Sequence, residues 1–115
     1  MSHPDTLPPS GAGAFAEAYP ELWERYAALG AATAEAGGLS ARERRLVKLA
    51  LAVGAGTEGA VHSHARQARQ EGIDPADLRQ ICLMAITTLG FPAAMAGLSW
   101  VNDILDASDQ TEDDS

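Results

Sequence analysis

Signals for the start of a helix recur along this chain, and no segment between them alternates strictly between apolar and polar residues. Pro20 can occupy the first position of a helix. Ser40 and Glu43 form a capping box, in which a hydroxyl and a carboxylate satisfy free backbone amides. Asp74 followed by Pro75 marks another start. Apolar residues recur at helical spacing between these signals. We therefore predict an all-α fold.

The predicted helices lie between these signals and a set of glycines. They cover a short turn near Phe15 to Ala18 and then residues 20 to 37, 40 to 54, 57 to 71, 75 to 89 and 92 to 106. The helix after Pro75 is apolar nearly all round, because Leu83 and Met84 accompany its core stripe. That pattern predicts burial on both of its sides.

Length and composition limit the class of protein. A chain of 115 residues fits one domain, which we place at 13–107, between a flexible segment 1–12 and an acidic disordered tail 108–115. The net charge of −8 argues against a nucleic-acid partner. No apolar run is long enough for a membrane span, and no signal peptide is recognised. The lone cysteine, Cys82, fits a cytoplasmic location.

The segment from Gly56 to Arg66 holds two of the three histidines. Each helical residue turns by about 100°, so His62 and His64 point to different sides of one helix. Glu58 lies one turn before His62 on the same edge, whereas His64 lies toward the apolar face. We expect His64 to be half-buried and His62 to be more exposed, within reach of Glu58.

Each of these groups has a structural and a functional interpretation. His64 is either a core histidine satisfied by one hydrogen bond or a general acid or base at a pocket wall. Glu58 with His62 is either a surface pair or a carboxylate that orients a catalytic imidazole. A metal site would need ligands from a second subunit, since this edge supplies only two. We therefore predict no metal and no other cofactor.

Four basic residues cluster in the helix after Ser40. They are Arg42, Arg44, Arg45 and Lys48. Such a cluster is either solvated, paired with acids, or used to hold a carboxylate, which a guanidinium binds through two hydrogen bonds. Cys82 lies in mid-helix among apolar neighbours, which favours a small core residue over a reactive thiol. The many alanines imply a thin core, so we expect a homo-oligomer.

The chain resembles the carboxymuconolactone decarboxylase family, which includes the alkyl hydroperoxidase D proteins. The resemblance covers roughly Leu39 to Leu105. Its motifs are the segments 39–47, 58–64, 72–80 and 90–96. It implies a helical protomer of five to six helices that assembles into trimers or hexamers, with active sites near subunit interfaces.

The peroxidase branch of this family carries a Cys-x-x-Cys pair, a histidine and a glutamate. In matching register the cysteines correspond to Thr57 and Ala60, the histidine to His64 and the glutamate to Arg45. Peroxide reduction there needs a nucleophilic and a resolving thiol. The chain has neither at these positions, which excludes a dithiol peroxidase at this site and leaves a peroxidase role as the weakest alternative.

The resemblance to the decarboxylase branch implies a cofactor-free acid–base enzyme for a small carboxylated or lactone substrate. His64 is the main candidate for the proton carrier, His62 is the alternative proton donor, and Glu58 is the carboxylate partner. The candidates for substrate binding are Arg45, Arg42 and Thr57. The alternative is a non-catalytic oligomeric binding protein with the same fold.

Overall fold

The computed structural model describes the backbone of residues 12–114 and the side chains of residues 13–107. Six helices follow one another in this part of the chain. They are α1 (Ala12–Ala18), α2 (Pro20–Ala34), α3 (Ala41–Ala55), α4 (Glu58–Gln70), α5 (Pro75–Leu89) and α6 (Phe91–Asp114). No strand occurs among the described residues, so the predicted all-α fold is confirmed.

The chain divides into two compact units, one ending at Ser40 and the other beginning at Ala41. In the first unit, α1 packs against α2, and the rings of Phe15 and Tyr19 lie 5.3 Å apart. No residue of α2 is buried. Its apolar side chains therefore remain open to solvent in the single chain.

The second unit contains α3 to α6 around one core. The most extensive helix contact joins α5 to α6, while α4 packs against both α3 and α6. Apolar side chains from all four helices and the α4–α5 turn fill the space between them. The fully buried ones include Leu49, Val61, Leu78, Cys82, Val101 and Leu105. Cys82 is thus a core residue, as predicted.

The turns between these helices follow the sequence signals closely. Gly56, Gly72 and Gly90 have φ values of 68°, 83° and 101°, which favour glycine because a Cβ is strained there. Asp74 caps α5, since its carboxylate accepts a hydrogen bond from the backbone amide of Ala76 at 2.8 Å. These local interactions determine where one helix ends and the next begins.

Two helix ends differ from the prediction. α2 ends at Ala34, before the glycines at 37 and 38. α6 continues to Asp114, beyond the expected end at Asp106. No glycine or proline follows Gly97 in the sequence, so nothing in the backbone chemistry stops α6 earlier.

The predicted domain limits fall partly outside the described residues. Of the segment 1–12, only Ala12 is described, as the first residue of α1. The predicted boundary between 107 and 108 is not marked by a break in α6. Within the part of the chain that the structure describes, no helix is both long and apolar enough to cross a bilayer.

The outer face of α5, which the sequence predicts to be buried, is open in the single chain. Leu83 is 52% exposed and Met84 is 64% exposed. Leu51 of α3 is 64% exposed near this face, and together with Met84 it lines an apolar groove of about 510 Å³. Within one chain, the second apolar side of α5 has no covering element among the described residues.

Gly97 allows α6 to approach α3 closely. A Cβ at this position would lie 2.8 Å from Cγ1 of Val53, whose branched side chain has few alternative rotamers. We expect Gly97→Ala to lower the free energy of unfolding by about 1–3 kcal/mol through overpacking. Chemical denaturation followed by circular dichroism measures this change.

Gly59→Ala is the matched control, because nothing lies within 4 Å of a Cβ at Gly59. Its free energy of unfolding should not fall. If the free energy of unfolding fell equally in both variants, overpacking between α3 and α6 would not be the cause of the loss in Gly97→Ala.

Candidate functional site

Helix α4 carries both candidate histidines and is anchored by small side chains. Val61, Ala65 and Ala68 are fully buried and lie one turn apart along one face. His62 and His64 lie on either side of this buried stripe and are both partly buried. As predicted from helical geometry, they point away from each other: His62 contacts α6, and His64 contacts α3.

His64 belongs to a three-residue cluster with Arg45 of α3 and Glu71, which follows the end of α4. Nη1 of Arg45 lies 2.7 Å from Nδ1 of His64. The same guanidinium donates two hydrogen bonds to Glu71, from Nε to Oε1 at 3.0 Å and from Nη2 to Oε2 at 2.9 Å. Glu71 therefore fixes the plane of the Arg45 guanidinium against the imidazole.

The contact with Arg45 determines the tautomer of His64. A guanidinium has only N–H donors, so Nδ1 of His64 must be the acceptor. The proton of the neutral ring then resides on Nε2. His64 is consequently a neutral imidazole with one N–H group available to another molecule.

The environment of His64 lowers its pKa from the ordinary value of 6.5. Burial is the largest cause, because it disfavours the charged ring. The positive charges of Arg45 and Lys48 lower the pKa further, and the carboxylate of Glu71 opposes them. Lys48 is exposed and forms no ion pair among the described residues, so it is an available cation beside His64.

His62 contacts a carboxylate that the sequence analysis did not identify. Its Nε2 lies 2.9 Å from Oδ2 of Asp103 in α6. Ligand atoms of Glu58, the expected partner, lie within 4.8 Å of those of both other residues. His62 thus lies between two carboxylates, and the third donor comes from the same chain rather than from a second subunit.

The remaining site candidates lie near the ends of α3, α4 and α5. Thr57 is the N-cap residue of α4, but its exposed hydroxyl makes no capping hydrogen bond. Arg42 is paired with Asp77 at the start of α5. A cleft of about 470 Å³ is lined by Arg42, Asp77 and Glu71, among others. The cleft therefore shares Glu71 with the His64 cluster.

Cys82 does not contribute to this site. Its side chain is fully buried in the core, and burial raises the pKa of the thiol above the ordinary value of 9.0. A buried, protonated thiol is a poor nucleophile.

Comparison with known proteins identifies the family of this chain. The model of the carboxymuconolactone decarboxylase family matches residues 20–103. The chain belongs to this family. An uncharacterized protein of Haemophilus influenzae is 41% identical over 56 residues, which cover 49% of this chain and 50% of that protein. The match thus spans about half the length of this curated relative. No solved structure matches significantly.

Titration of the imidazoles by NMR tests the geometry around His64. We expect a pKa below 6.5 and a proton on Nε2 in the neutral ring. Since the unfolded chain binds this proton more readily, His64 stabilises the fold fully above pH 6.5, and this contribution declines as the pH falls toward the lowered pKa. Arg45→Gln should raise the pKa, because one positive neighbour is removed.

Lys48→Gln provides the comparison for the Arg45 variant. It should also raise the pKa of His64, but by less, because the charge of Lys48 acts more weakly than that of Arg45. A neutral ring protonated on Nδ1, or a pKa unaffected by loss of Arg45, would contradict the described contact.

Proposed function

We propose that this member of the carboxymuconolactone decarboxylase family is a cofactor-free enzyme for a small carboxylated or lactone substrate. The observation that carries the proposal is the neutral His64, held through Nδ1 by Arg45, with Lys48 as an exposed cation beside it. His64 is the proposed catalytic residue, and its Nε2–H is the group that would contact the substrate.

The charges around His64 suit an anionic substrate. Arg45 and Lys48 together carry two positive charges, while Glu71 carries one negative charge. Arg45 is already engaged by Glu71 and His64. Lys48 is therefore better placed than Arg45 to hold a substrate carboxylate, and Arg45 and Glu71 act as positioning residues.

The proposed reaction is the loss of carbon dioxide. The bond between the carboxyl carbon and its neighbour breaks, and its electron pair moves into an adjacent carbonyl group, which becomes an enolate. The Nε2–H of His64 donates a hydrogen bond to the enolate oxygen, where charge develops. Water then protonates the carbon, and the remaining hydroxide combines with carbon dioxide to form bicarbonate.

A neutral imidazole suits this role better than a charged one. Protonation of Nδ1 would place a positive ring against the guanidinium of Arg45, which donates there at 2.7 Å. His64 therefore acts in the proposal as a hydrogen-bond donor, as neutral imidazoles do in enolate chemistry elsewhere.

The other predicted site residues have no direct role in the proposed reaction. Arg42 could hold a carboxylate only by leaving Asp77, and Thr57 offers an unengaged hydroxyl at the start of α4. His62 and Glu58 lie on the opposite side of α4 from His64. Within one chain, His62 and Glu58 therefore could not contact a substrate bound at His64.

The second candidate function is a non-catalytic binding protein. It is favoured because the guanidinium of Arg45 is already bonded to both Glu71 and His64, an arrangement that also fits a purely structural cluster. None of the three cavities described in the second unit is lined by His64.

We further propose a homo-oligomer, a trimer or a hexamer as the family resemblance implies, formed through the open face of α3 and α5. Exposed apolar side chains on both helices support this, and covering them would remove apolar surface from water. A cytoplasmic location fits the lone, buried Cys82.

Turnover of carboxylated lactones and β-keto acids tests the enzymatic proposal. We expect release of carbon dioxide or bicarbonate with at least one compound. We also expect a loss of about 10²–10³-fold in kcat for His64→Ala, which removes the N–H donor to the oxyanion. Gln70→Ala, an exposed change on the same helix, should keep the original rate. Unchanged turnover in His64→Ala would exclude the catalytic role, and inactivity toward every compound favours the binding protein.

The oligomer is tested by light scattering after size-exclusion chromatography. Met84→Lys should dissociate it, because burying an unpaired charge is costly. Gln70→Glu, which alters charge on exposed α4 surface, should leave the mass unchanged. A wild-type monomer, or a Met84→Lys variant of unaltered mass, would contradict the proposed interface.

A further inference from the structure

We propose that Glu58, His62 and Asp103 form a binding site for a divalent transition-metal cation, with zinc as the representative ion. The three side chains lie on the side of α4 opposite His64. The inference rests on their geometry alone and does not depend on the proposed enzyme activity.

The spacing of the donor atoms is close to that of a metal site. Nε2 of His62 lies 2.9 Å from Oδ2 of Asp103, and one ligand atom from each of the three residues lies within 4.8 Å of the others. Zinc bonds to nitrogen and carboxylate oxygen are about 2.0–2.2 Å long, so ligand atoms in a tetrahedral site lie roughly 3–4 Å apart. Small side-chain rotations therefore bring the three donors onto one ion.

The donor set is suited to this class of cation. An imidazole nitrogen favours zinc, iron and related ions, and two carboxylates supply two negative charges. Glu58 lies in the first turn of α4, where the helix dipole disfavours a cation by about 0.3–1 kcal/mol. That cost is small beside the attraction of two carboxylate ligands. Three protein ligands also leave a coordination position for water or a substrate.

The core holds two of the three ligands in place. His62 follows Val61 in α4, and Asp103 lies two residues after Val101 in α6, and both valines are fully buried. The side chain of His62 is 24% exposed, whereas that of Asp103 is 54% exposed. The site is thus fixed on its inner side and accessible from solvent.

Equilibrium dialysis with Zn²⁺ tests the proposal. The chain has a third histidine, His3, outside the described residues, so all variants carry His3→Ala. We expect one bound ion per chain. His62→Gln and Asp103→Asn each replace a proposed ligand. Each should therefore weaken Zn²⁺ binding by at least the roughly tenfold loss that follows when only an outer-shell partner of a metal ligand is removed.

His64→Gln is the matched control, because it removes the other imidazole of α4 and should leave Zn²⁺ affinity unchanged. Absence of Zn²⁺ binding, or binding that survives His62→Gln, would overturn the proposal. So would binding that is lost in His64→Gln alone.

A substitute variant and a Co²⁺ spectrum test the same site if one of the variants does not fold. If circular dichroism shows that His62→Gln does not fold, the exposed substitution Glu58→Gln takes its place, with the same expected loss of affinity. Co²⁺ should show a visible absorption spectrum in the His3→Ala protein that differs from that of the free ion. The same spectrum in Asp103→Asn would contradict coordination by that carboxylate.

Discussion

Close packing of α4 against α3 and α6 underlies both histidine sites. The buried face of α4 consists of Val61, Ala65 and Ala68, whose short side chains let the neighbouring helices approach. Because this face is fixed, His62 and His64 are held against different neighbours, α6 and α3. A larger residue in the stripe would move both imidazoles away from their partners, since close-packed interiors do not absorb extra volume.

The fold could be predicted from sequence because its signals are local. Capping residues, the proline after Asp74 and the glycines with positive φ each act within one turn of a helix. A helix end is predicted wrongly where such a local signal is missing. α6 lacks a stop residue after Gly97, and the sequence analysis ended it where acidic residues accumulate. The open face of α5 shows what periodicity leaves undecided: it indicates which side of a helix is apolar, but not whether the same chain covers that side.

The candidate site was only half predictable. The opposite directions of His62 and His64 follow from about 100° per residue within one helix. Their partners, Asp103 and Arg45, belong to other helices, 41 and 19 residues away in sequence. Such contacts depend on how far one helix is displaced along another, and this displacement is determined by packing. Glu71 has no distinguishing local pattern, so nothing in the sequence indicated that it would hold Arg45.

The charge at position 45 gives the His64 site its particular chemistry. A carboxylate beside an imidazole accepts a hydrogen bond from a ring N–H and favours the charged ring, whereas a guanidinium donates a hydrogen bond to the ring and favours the neutral form. Glu71 opposes this effect from the far side of Arg45, but burial and Lys48 act in the same direction as the arginine. The site therefore offers a neutral N–H group within positively charged surroundings. That combination suits the stabilisation of an anion.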